Sequence, residues 1–165
     1  MISLDILEKI EIFKSLNDKE LKAVQAFCEQ ITYAKGDKLF SEGETADKLC
    51  FVVNGQVDLR FELPGKRHAE QDSTVSTVKG YAEEAKTLGW SCFVPPHKFR
   101  LSAYCVTRKC EVVRIKKDHI TRLFDLDPLL GFKVMSYLVE VVGYRFCQFQ
   151  DEVAKMQGHN IINSW

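Results

Sequence analysis

The change in hydrophobic period along the chain constrains its fold most. Apolar residues recur at helical spacing in residues 5–31 and again in residues 117–157, whereas residues 32–116 consist of short apolar runs separated by glycines and polar turns. Many short strands joined by turns are typical of a small antiparallel barrel or roll. We therefore predict a mainly β protein, in which an antiparallel, jelly-roll-like β-roll carries N-terminal helices and a long C-terminal helix within one domain of residues 1–165.

Local signals predict some of the element boundaries. Asn17 followed by Glu20 resembles a capping box at the start of a helix. Asn54-Gly55 between "CFVV" and "QVDLRF" predicts a two-residue hairpin, because both positions of such a turn adopt positive φ. Pro64-Gly65 predicts a turn into the polar loop "GKRHAEQDS", and "YAEEAKTL" predicts an extra helical turn at residues 81–88.

The last predicted helix is longer than the core of so small a domain requires. After Pro128 it runs for about thirty residues without a proline, and apolar positions recur along it. These positions are Phe132, Met135, Leu138, Val139, Val142, Phe146, Phe149 and Val153. Such a stripe either meets the helix of a partner, here a second copy in a homodimer, or folds back onto the chain's own roll, and the sequence leaves both open.

Composition and charge argue against several classes of function. The chain has 23 basic and 23 acidic residues and a pI near 6.9, so it lacks the basic surface of a protein that binds nucleic acid directly. No apolar run reaches the ~18 residues of a membrane span. The N-terminal "MISLDILEKIEIF" carries acidic residues where a signal peptide has a basic start and an unbroken apolar stretch. We therefore expect a cytoplasmic protein without a membrane partner.

The residue types that build metal and catalytic sites are present but scattered. None of the six cysteines forms a C-x-x-C motif, and we expect them to be reduced and mostly buried. The four histidines lack metal-ligand spacing, so we expect no metal site. No nucleophile–base arrangement, carboxylate pair or phosphate-binding loop motif is visible, and we therefore expect that the chain is not an enzyme.

Three stretches of sequence narrow the fold to one family. The opening "IEIFKSLNDKELKAV", the run "YAKGDKLFSEGETADKLCFVVNGQVDL" and the closing "CEVVRIKKDHITRLFDLDPLLGFKVMSYL" resemble cyclic-nucleotide-binding domains over roughly residues 8–150. The resemblance implies a regulatory module that binds a small anionic ligand inside the roll and signals through its C-terminal helix. It implies no cofactor beyond a cyclic nucleotide or another small anion.

The resemblance also implies a ligand-binding cassette, residues 88–102. In the family, a glycine and a glutamate precede a short helix whose backbone N–H groups face a cyclic phosphate, and an arginine about ten residues later pairs with that phosphate. Here Gly89 matches the glycine, Trp90 stands where the glutamate is expected, and Arg100 matches the arginine across a loop one residue longer. The candidate ligand-binding residues are Leu88, Gly89, Trp90, Ser91, Arg100, Leu101, Ser102 and Arg145.

Four of these residues have alternative roles that the sequence leaves open. Trp90 acts as a plug or stacking surface of the pocket, or belongs to the core. Ser91 donates to an anion, or caps the short helix. Arg100 faces an anion, or is a solvated residue at a strand edge. Arg145 lies near the place where the family's last helix reaches a bound base, although we favour a solvated position for it.

The loss of the glutamate changes the expected ligand. An indole offers one N–H donor and none of the carboxylate acceptors, so buried ribose hydroxyls would cost about 1–3 kcal/mol each. We therefore expect cyclic AMP to bind about 100-fold more weakly than it would with the acid present, or worse. The string "LGWS", with Pro95 and Pro96 after it, resembles a variant cassette without the glutamate in the catabolite-activator-like branch.

Three functions follow from these observations. The favoured one is a ligand-sensing regulatory module that acts on a protein effector. The second is a protein-interaction or dimerisation domain whose pocket is filled by Trp90. The third is a truncated transcription regulator of the catabolite-activator family. Such regulators carry a helix-turn-helix of ~60–80 residues after the long helix, and only a few residues follow Met156 here, so we expect no direct contact with DNA.

Overall fold

The computed structural model of the protein describes residues 2–62, 74–79 and 86–162. The turn predicted at Pro64-Gly65 and the polar loop after it lie outside the described residues. The helical turn predicted at residues 81–88 also falls mostly outside them, and its last two residues, Thr87 and Leu88, belong to a strand. In the described part of the chain, no helix has both the length and the apolar character needed to cross a membrane.

The N-terminal segment is a set of short helices. They are α1 (Leu4–Leu7), a 3₁₀ helix (Glu11–Phe13) and α2 (Asp18–Gln25). The capping box is confirmed, because the Asn17 side chain accepts from Glu20 N at 3.0 Å while the Glu20 carboxylate accepts from Asn17 N at 2.7 Å. The predicted boundary at residue 31 is wrong: α2 ends at Gln25, and the chain from Cys28 onward is a strand that pairs with the end of the roll.

The antiparallel β-roll is confirmed, and its described strands form two four-stranded sheets. The strands are β1 (Cys28–Ala34), β2 (Lys38–Phe40), β3 (Lys48–Asn54), β4 (Val57–Glu62), β5 (Thr74–Lys79), β6 (Thr87–Leu88), β7 (Ser102–Cys105) and β8 (Lys109–Lys116). The first sheet has the order β1-β8-β3-β6, and the second has the order β2-β7-β4-β5. Buried apolar residues of both sheets form one core with the N-terminal helices and the start of the last helix. Consecutive strands often belong to different sheets, so the chain crosses repeatedly between them.

The hairpin predicted at Asn54-Gly55 is wrong for this reason. Gly55 has a φ of +85°, as a tight turn requires, but Asn54 is not in the left-handed region. β3 pairs with β6 and β8, whereas β4 pairs with β5 and β7, so the turn carries the chain from the first sheet to the second. A Cβ atom on Gly55 would lie 2.4 Å from the Lys109 carbonyl oxygen, which shows how closely this crossing packs on the one between β7 and β8.

The chain ends in α3 (Lys117–Leu126) and the long helix α4 (Pro128–Ile162). α4 carries two apolar stripes. The first is buried against the chain's own domain and comprises Leu130, Val134, Leu138 and Val141. The second is exposed and comprises Leu129, Phe132, Met135, Val139, Phe146, Phe149 and Met156. Of the apolar positions predicted from the sequence, Leu138 therefore packs on the chain's own domain. Most of the others lie on the exposed stripe, where a partner helix could bind.

An ion pair anchors the start of α4 to α2. Lys133 Nζ lies 2.9 and 2.8 Å from the two carboxylate oxygens of Glu20, whose side chain is only 4% exposed. Since the same carboxylate also accepts from Asn17 N, its position is determined on both sides. The desolvation of two charges offsets much of their attraction, so a buried ion pair of this kind adds little net stability.

Candidate functional site

The cassette begins where β6 leaves the first sheet. Leu88 is buried and pairs with Cys50 of β3. Gly89 follows with a φ of +83°, and a Cβ atom there would lie 2.4 Å from the carbonyl oxygen of Lys48. Both the left-handed backbone and the contact with β3 require glycine at this position. The backbone path into the cassette is therefore determined by close packing.

A 3₁₀ helix, Trp90–Phe93, follows Gly89. Its turn uses the N–H group of Cys92, which donates to Gly89 O at 3.0 Å, and Val94 N donates to Ser91 O at 3.2 Å. The first N–H groups of a helix, here those of Trp90 and Ser91, have no acceptor within the helix. This end of the helix therefore presents backbone donors, as an anion site requires.

The side chains of this short helix differ in burial. Trp90 is half-buried and packs against the core, so it is neither fully exposed nor a core residue. Ser91 is buried, and Gly89 is the capping residue with no side-chain cap, so the alternative that Ser91 caps the helix is wrong. Cys92 is fully buried, and burial raises the pKa of its thiol to about 12.

The loop after the helix is held by backbone contacts. His97 Nδ1 lies 3.0 Å from Cys92 O, which ties the loop back to the helix. Ala46 N donates to His97 O at 2.8 Å, and Phe99 and Glu44 are joined by a bond of 3.0 Å from Phe99 N. The Phe99 ring stacks on Phe40 with centroids 4.0 Å apart. These contacts determine where the chain arrives at Arg100.

Arg100 and Ser102 have opposite environments. Arg100 is exposed in a bend before β7, and it makes no hydrogen bond or ion pair with the described residues. Leu101 is half-buried. Ser102 is fully buried, and its Oγ accepts from Glu42 N at 2.9 Å. Among the described residues, no hydrogen bond joins Arg100 to the Leu88–Ser91 segment.

Ser102 belongs to a polar network on the second sheet. Glu62 Oε1 accepts from Tyr104 OH at 2.7 Å and from Lys38 Nζ at 3.1 Å. Burial alone would raise the pKa of Glu62, but hydrogen bonds from Ser102, Tyr104 and Lys38 outweigh it and lower that pKa to about 2. The Ser102 hydroxyl therefore accepts from Glu42 N and also contributes to the low pKa of Glu62.

Arg145 reaches the roll, and the favoured prediction of a solvated position is wrong. Its Nη2 donates to Thr87 O at 2.6 Å, in the strand that leads directly into Gly89. Burial lowers the pKa of the Arg145 guanidinium to about 10. Helical periodicity alone does not reveal this, because a long side chain on a polar face can fold back onto a neighbouring element.

Three residues that the sequence analysis did not single out connect the cassette to α4. Phe93 of the short helix stacks on Phe124 of α3, with ring centroids 6.0 Å apart. The Phe124 ring in turn lies against Gly131 of α4, where a Cβ atom would come within 3.0 Å of Phe124 Cβ. The apolar positions of α3 were visible in the sequence, but nothing local identified which cassette residue they would meet.

A surface cavity of about 70 Å³ lies elsewhere, between the N-terminal 3₁₀ helix and the edge of the first sheet. It is lined by Lys9, Ile10, Glu11, Phe51, Val52, Val53, Lys86 and Thr87, and none of the predicted ligand-binding residues is among them. Within residues 2–62, 74–79 and 86–162, no group of three or more His, Cys, Asp or Glu side chains is arranged to hold a metal ion.

The sequence and fold match a known family. The model of the cyclic nucleotide-binding domain matches residues 30–127, from β1 to the end of α3. The chain belongs to the cyclic nucleotide-binding domain family. The resemblance seen in the sequence is therefore confirmed, and the predicted β-roll with flanking helices is the fold of this family.

Solved structures agree with this family. A protein of Geobacter metallireducens GS-15, provisionally named as a cyclic nucleotide-binding protein, is 27% identical, with 88% of this chain and 99% of that chain covered and a TM-score of 0.68. A cyclic nucleotide-binding domain from Methylobacillus flagellatus KT is 19% identical over 93% and 81% of the two chains, with a TM-score of 0.73. The regulatory domain of Toxoplasma gondii PKA, solved with cAMP, is 17% identical over 81% and 49%, with a TM-score of 0.60. No curated protein matches the sequence.

Proposed function

We propose that this cyclic nucleotide-binding domain is a ligand-sensing regulatory module that binds a small anionic ligand at the cassette and signals through α4. The observation that carries the proposal is the cassette itself: a short helix after Gly89 whose first N–H groups have no acceptor within the helix, followed by an exposed arginine. Catalysis is no part of the proposed function. The six cysteines are free thiols, and we therefore assign the module to the cytoplasm, which keeps thiols reduced.

The local charge favours an anion. Between Glu84 and Glu111 the sequence contains no acidic residue, whereas it contains Lys86, Lys98, Arg100, Arg108 and Lys109. The whole chain is neutral, so this stretch is a local excess of positive charge. Arg100 is exposed and has no partner in the described part of the chain, so its guanidinium is available for a bidentate contact with a phosphate or carboxylate.

Trp90 argues against cyclic AMP as the natural ligand. It provides no acceptor for the one free ribose hydroxyl of cyclic AMP, whose burial without a partner costs about 1–3 kcal/mol. It also provides an aromatic surface close to the backbone donors. We therefore propose an anion that lacks a free ribose hydroxyl, or whose hydroxyl remains in water.

The signal is proposed to travel through Phe93, Phe124 and Gly131. If the short helix moves toward the anionic group of a bound ligand, Phe93 moves with it. Phe93 is stacked on Phe124. Phe124 is seated on α4 at Gly131, so α4 follows. The ligand shifts this equilibrium only if it binds more tightly to one position of the helix than to the other.

The exposed stripe of α4 is proposed to meet the same stripe of a second copy. The exposed and half-buried apolar residues 132, 135, 139, 142, 146, 149, 153 and 156 alternate steps of three and four, which is the spacing of a coiled-coil seam. Light scattering after size exclusion tests this. We expect a dimer for the unaltered chain and a monomer for Phe146→Asp, whereas Cys147→Asp, on an exposed position of the same turn, stays dimeric. A monomeric unaltered chain would refute the homodimer.

Calorimetric titration with cyclic AMP and cyclic GMP tests the binding site. Arg100→Ala is compared with Lys98→Ala, which removes the same charge from an exposed position two residues away. Loss of at least tenfold in affinity in Arg100→Ala alone supports the anion site. Equal losses of affinity in both variants would mean that Arg100 contributes only its positive charge and makes no specific contact with the ligand.

The second candidate, a ligand-free interaction domain, is tested by the same titrations. The observation in its favour is that Ser102 is already hydrogen-bonded within the protein and Trp90 packs against the core. If the unaltered chain binds neither nucleotide, Trp90→Ala is titrated next. Binding that appears only in this variant would mean that Trp90 fills the pocket.

A further inference from the structure

The stripe of α4 that packs on the chain's own domain is continued by a charged residue. Its apolar members are Leu130, Val134, Leu138 and Val141, all of them buried. Arg145 occupies the next position of the same helix face, because residues three or four apart lie above one another on a helix. An arginine therefore stands where the pattern predicts another apolar residue against the roll.

Arg145 contacts the roll at the strand that leads into the cassette. Its Nη2 donates to Thr87 O at 2.6 Å, and Thr87 is itself buried. Thr87 precedes Gly89 by two residues, and the left-handed φ of Gly89 and its contact with Lys48 O determine where the short helix begins. The bond therefore joins α4 to the first end of the cassette.

The strand that accepts this bond is short and lies at the edge of its sheet. In the described part of the chain, β6 consists of Thr87 and Leu88, which pair with Phe51 and Cys50 of β3. β8, by contrast, is paired with β1 on one side and β3 on the other over most of its length. Segments with few paired backbone groups open locally at a low free-energy cost. We therefore expect the hydrogen bond from Arg145 to contribute a large share of the local stability of β6.

This hydrogen bond is also of a kind that breaks at a small cost. Burial lowers the pKa of the Arg145 guanidinium to about 10, because the charged form loses contact with water. That desolvation offsets part of the gain from a charge-assisted hydrogen bond, whereas an apolar side chain at this position would bring no such cost. The contact therefore specifies where α4 lies without holding it there permanently.

α4 meets the cassette at two separate points. The first is Gly131, against which the Phe124 ring lies, and Phe124 stacks on Phe93 of the short helix. The second is Arg145, which lies about 21 Å further along the helix at a rise of ~1.5 Å per residue. A contact near the start of a helix fixes its position, and a second contact far from the first fixes its direction.

We propose that Arg145 is a positioning residue that couples the direction of α4 to the ligand-binding cassette through β6. While the bond to Thr87 O holds, α4 lies along the roll and β6 holds Gly89 against β3. A change in the direction of α4 breaks the bond and loosens β6, and a displaced cassette loosens α4 to the same extent, because such coupling is reciprocal.

This role differs from the one implied by the family resemblance, in which a residue of the last helix reaches a bound base. Arg145 acts on the cassette from the side of α4 and does not contact the ligand. The regulatory meaning of the coupling rests on the proposed function, whereas the contact itself requires no ligand. A test without ligand therefore distinguishes a failure of this inference from a failure of the proposed function.

Hydrogen–deuterium exchange of the full chain without ligand provides that test. Arg145→Met keeps the length and the apolar stem of the side chain but removes the donor, whereas Arg145→Lys keeps a charged donor. We expect the backbone amides of residues 87–93 to exchange about tenfold faster in Arg145→Met, and clearly less than that in Arg145→Lys. The amides of β8 should exchange at the unaltered rate in both variants, because β8 is paired on both sides.

Lys155→Met is the matched control. It removes the same charge from an exposed position of α4 whose ion pair, with Glu152, lies within the helix. It should leave the exchange of residues 87–93 unchanged.

Several results would overturn the proposal. One is unaltered exchange of residues 87–93 in Arg145→Met, and another is an equal increase in Arg145→Lys or Lys155→Met. An increase of the same size in β8, or loss of the folded circular dichroism spectrum in Arg145→Met, would show that Arg145 stabilises the whole domain and does not act on the cassette. The nucleotide titrations of the unaltered chain test the proposed function separately.

Discussion

The two ends of the cassette are built on different principles. At the first end, backbone packing determines the path of the chain. Gly89 has a left-handed φ and lies against Lys48 O, and the short helix begins directly after it. At the second end, Arg100 is exposed without a described partner, while Ser102 is buried in a network with Glu42 and Glu62.

This difference separates the residues that stabilise the fold from those that are available to contact a ligand. A residue whose hydrogen bonds are already made is costly to remove and has little left to offer a ligand. An exposed arginine costs the fold little and has all its donors available. Among the candidate residues, we therefore expect Gly89 and Ser102 to affect stability, and Arg100 and Trp90 to affect binding.

The largest effect is expected for Gly89→Ala. The left-handed backbone costs about 1–2 kcal/mol for a residue with a Cβ. The contact at 2.4 Å with Lys48 O forces β3 or the cassette to move in addition. We expect the free energy of unfolding to fall by about 3 kcal/mol or more, measured by urea denaturation.

Gly43→Ala is the matched control for this variant. Gly43 has nearly the same φ, +82°, but nothing lies within 4 Å of its added Cβ. It should therefore cost only the backbone strain, about 1–2 kcal/mol. Equal losses in the two variants would mean that the contact with Lys48 O relaxes easily.

The next effect is a gain of affinity in Trp90→Glu. This substitution supplies a carboxylate acceptor for the free ribose hydroxyl of cyclic AMP at the first end of the cassette. We expect the affinity for cyclic AMP to rise about 100-fold, measured by calorimetric titration. Trp90→Ala removes the bulk without adding an acceptor and should gain far less. If alanine gained as much as glutamate, the obstacle would be the size of the indole.

The sequence was sufficient to predict the fold because its signals are local and agree with one another. The Asn17–Glu20 capping box and the glycines before β3 and β4 act within a few residues of themselves. The hairpin at Asn54-Gly55 was wrong because turn chemistry specifies the bend of the chain. It does not specify which strands pair, and β3 pairs with β8, which is distant in the sequence.

The candidate site was less predictable for the same reason. The sequence predicted the cassette and its missing glutamate, but the hydrogen-bond partners of Ser102 and Arg145 come from distant elements. Ser102 bonds to Glu42, which is 60 residues away, and Arg145 bonds to Thr87, which is 58 residues away. No period or spacing in a single sequence carries such contacts.

Ser102→Ala is expected to have a moderate effect on stability. It leaves Glu42 N–H without its acceptor and removes a hydrogen bond from Glu62, at a cost of about 1–3 kcal/mol. Ser41→Ala, in the same loop as Glu42, is the control and should cost less than about 0.5 kcal/mol. A neutral Ser102→Ala would mean that water replaces the hydroxyl and that Ser102 remains available to a ligand.

The Ser102 effect should also depend on pH. The pKa of Glu62 is about 2 in the folded protein, whereas a glutamate without these interactions, as in the unfolded chain, has a pKa of 4.5. The folded state therefore favours the ionised carboxylate. This contribution is present above pH 4.5 and is lost as pH falls toward 2. Because Ser102 supplies one of the hydrogen bonds, the stability difference between the unaltered chain and Ser102→Ala should shrink over that range in urea titrations.

The smallest effect on stability is expected for Arg100→Ala, and it separates the two ends most sharply. An exposed arginine without a partner contributes no contact for the fold to lose, so the free energy of unfolding should change by less than about 0.5 kcal/mol. Removing one charge from a stretch that contains only basic charges should not destabilise it either. The same urea denaturation measures this. A loss above about 1 kcal/mol would give Arg100 a structural role, and any loss of affinity in this variant would then reflect a damaged cassette.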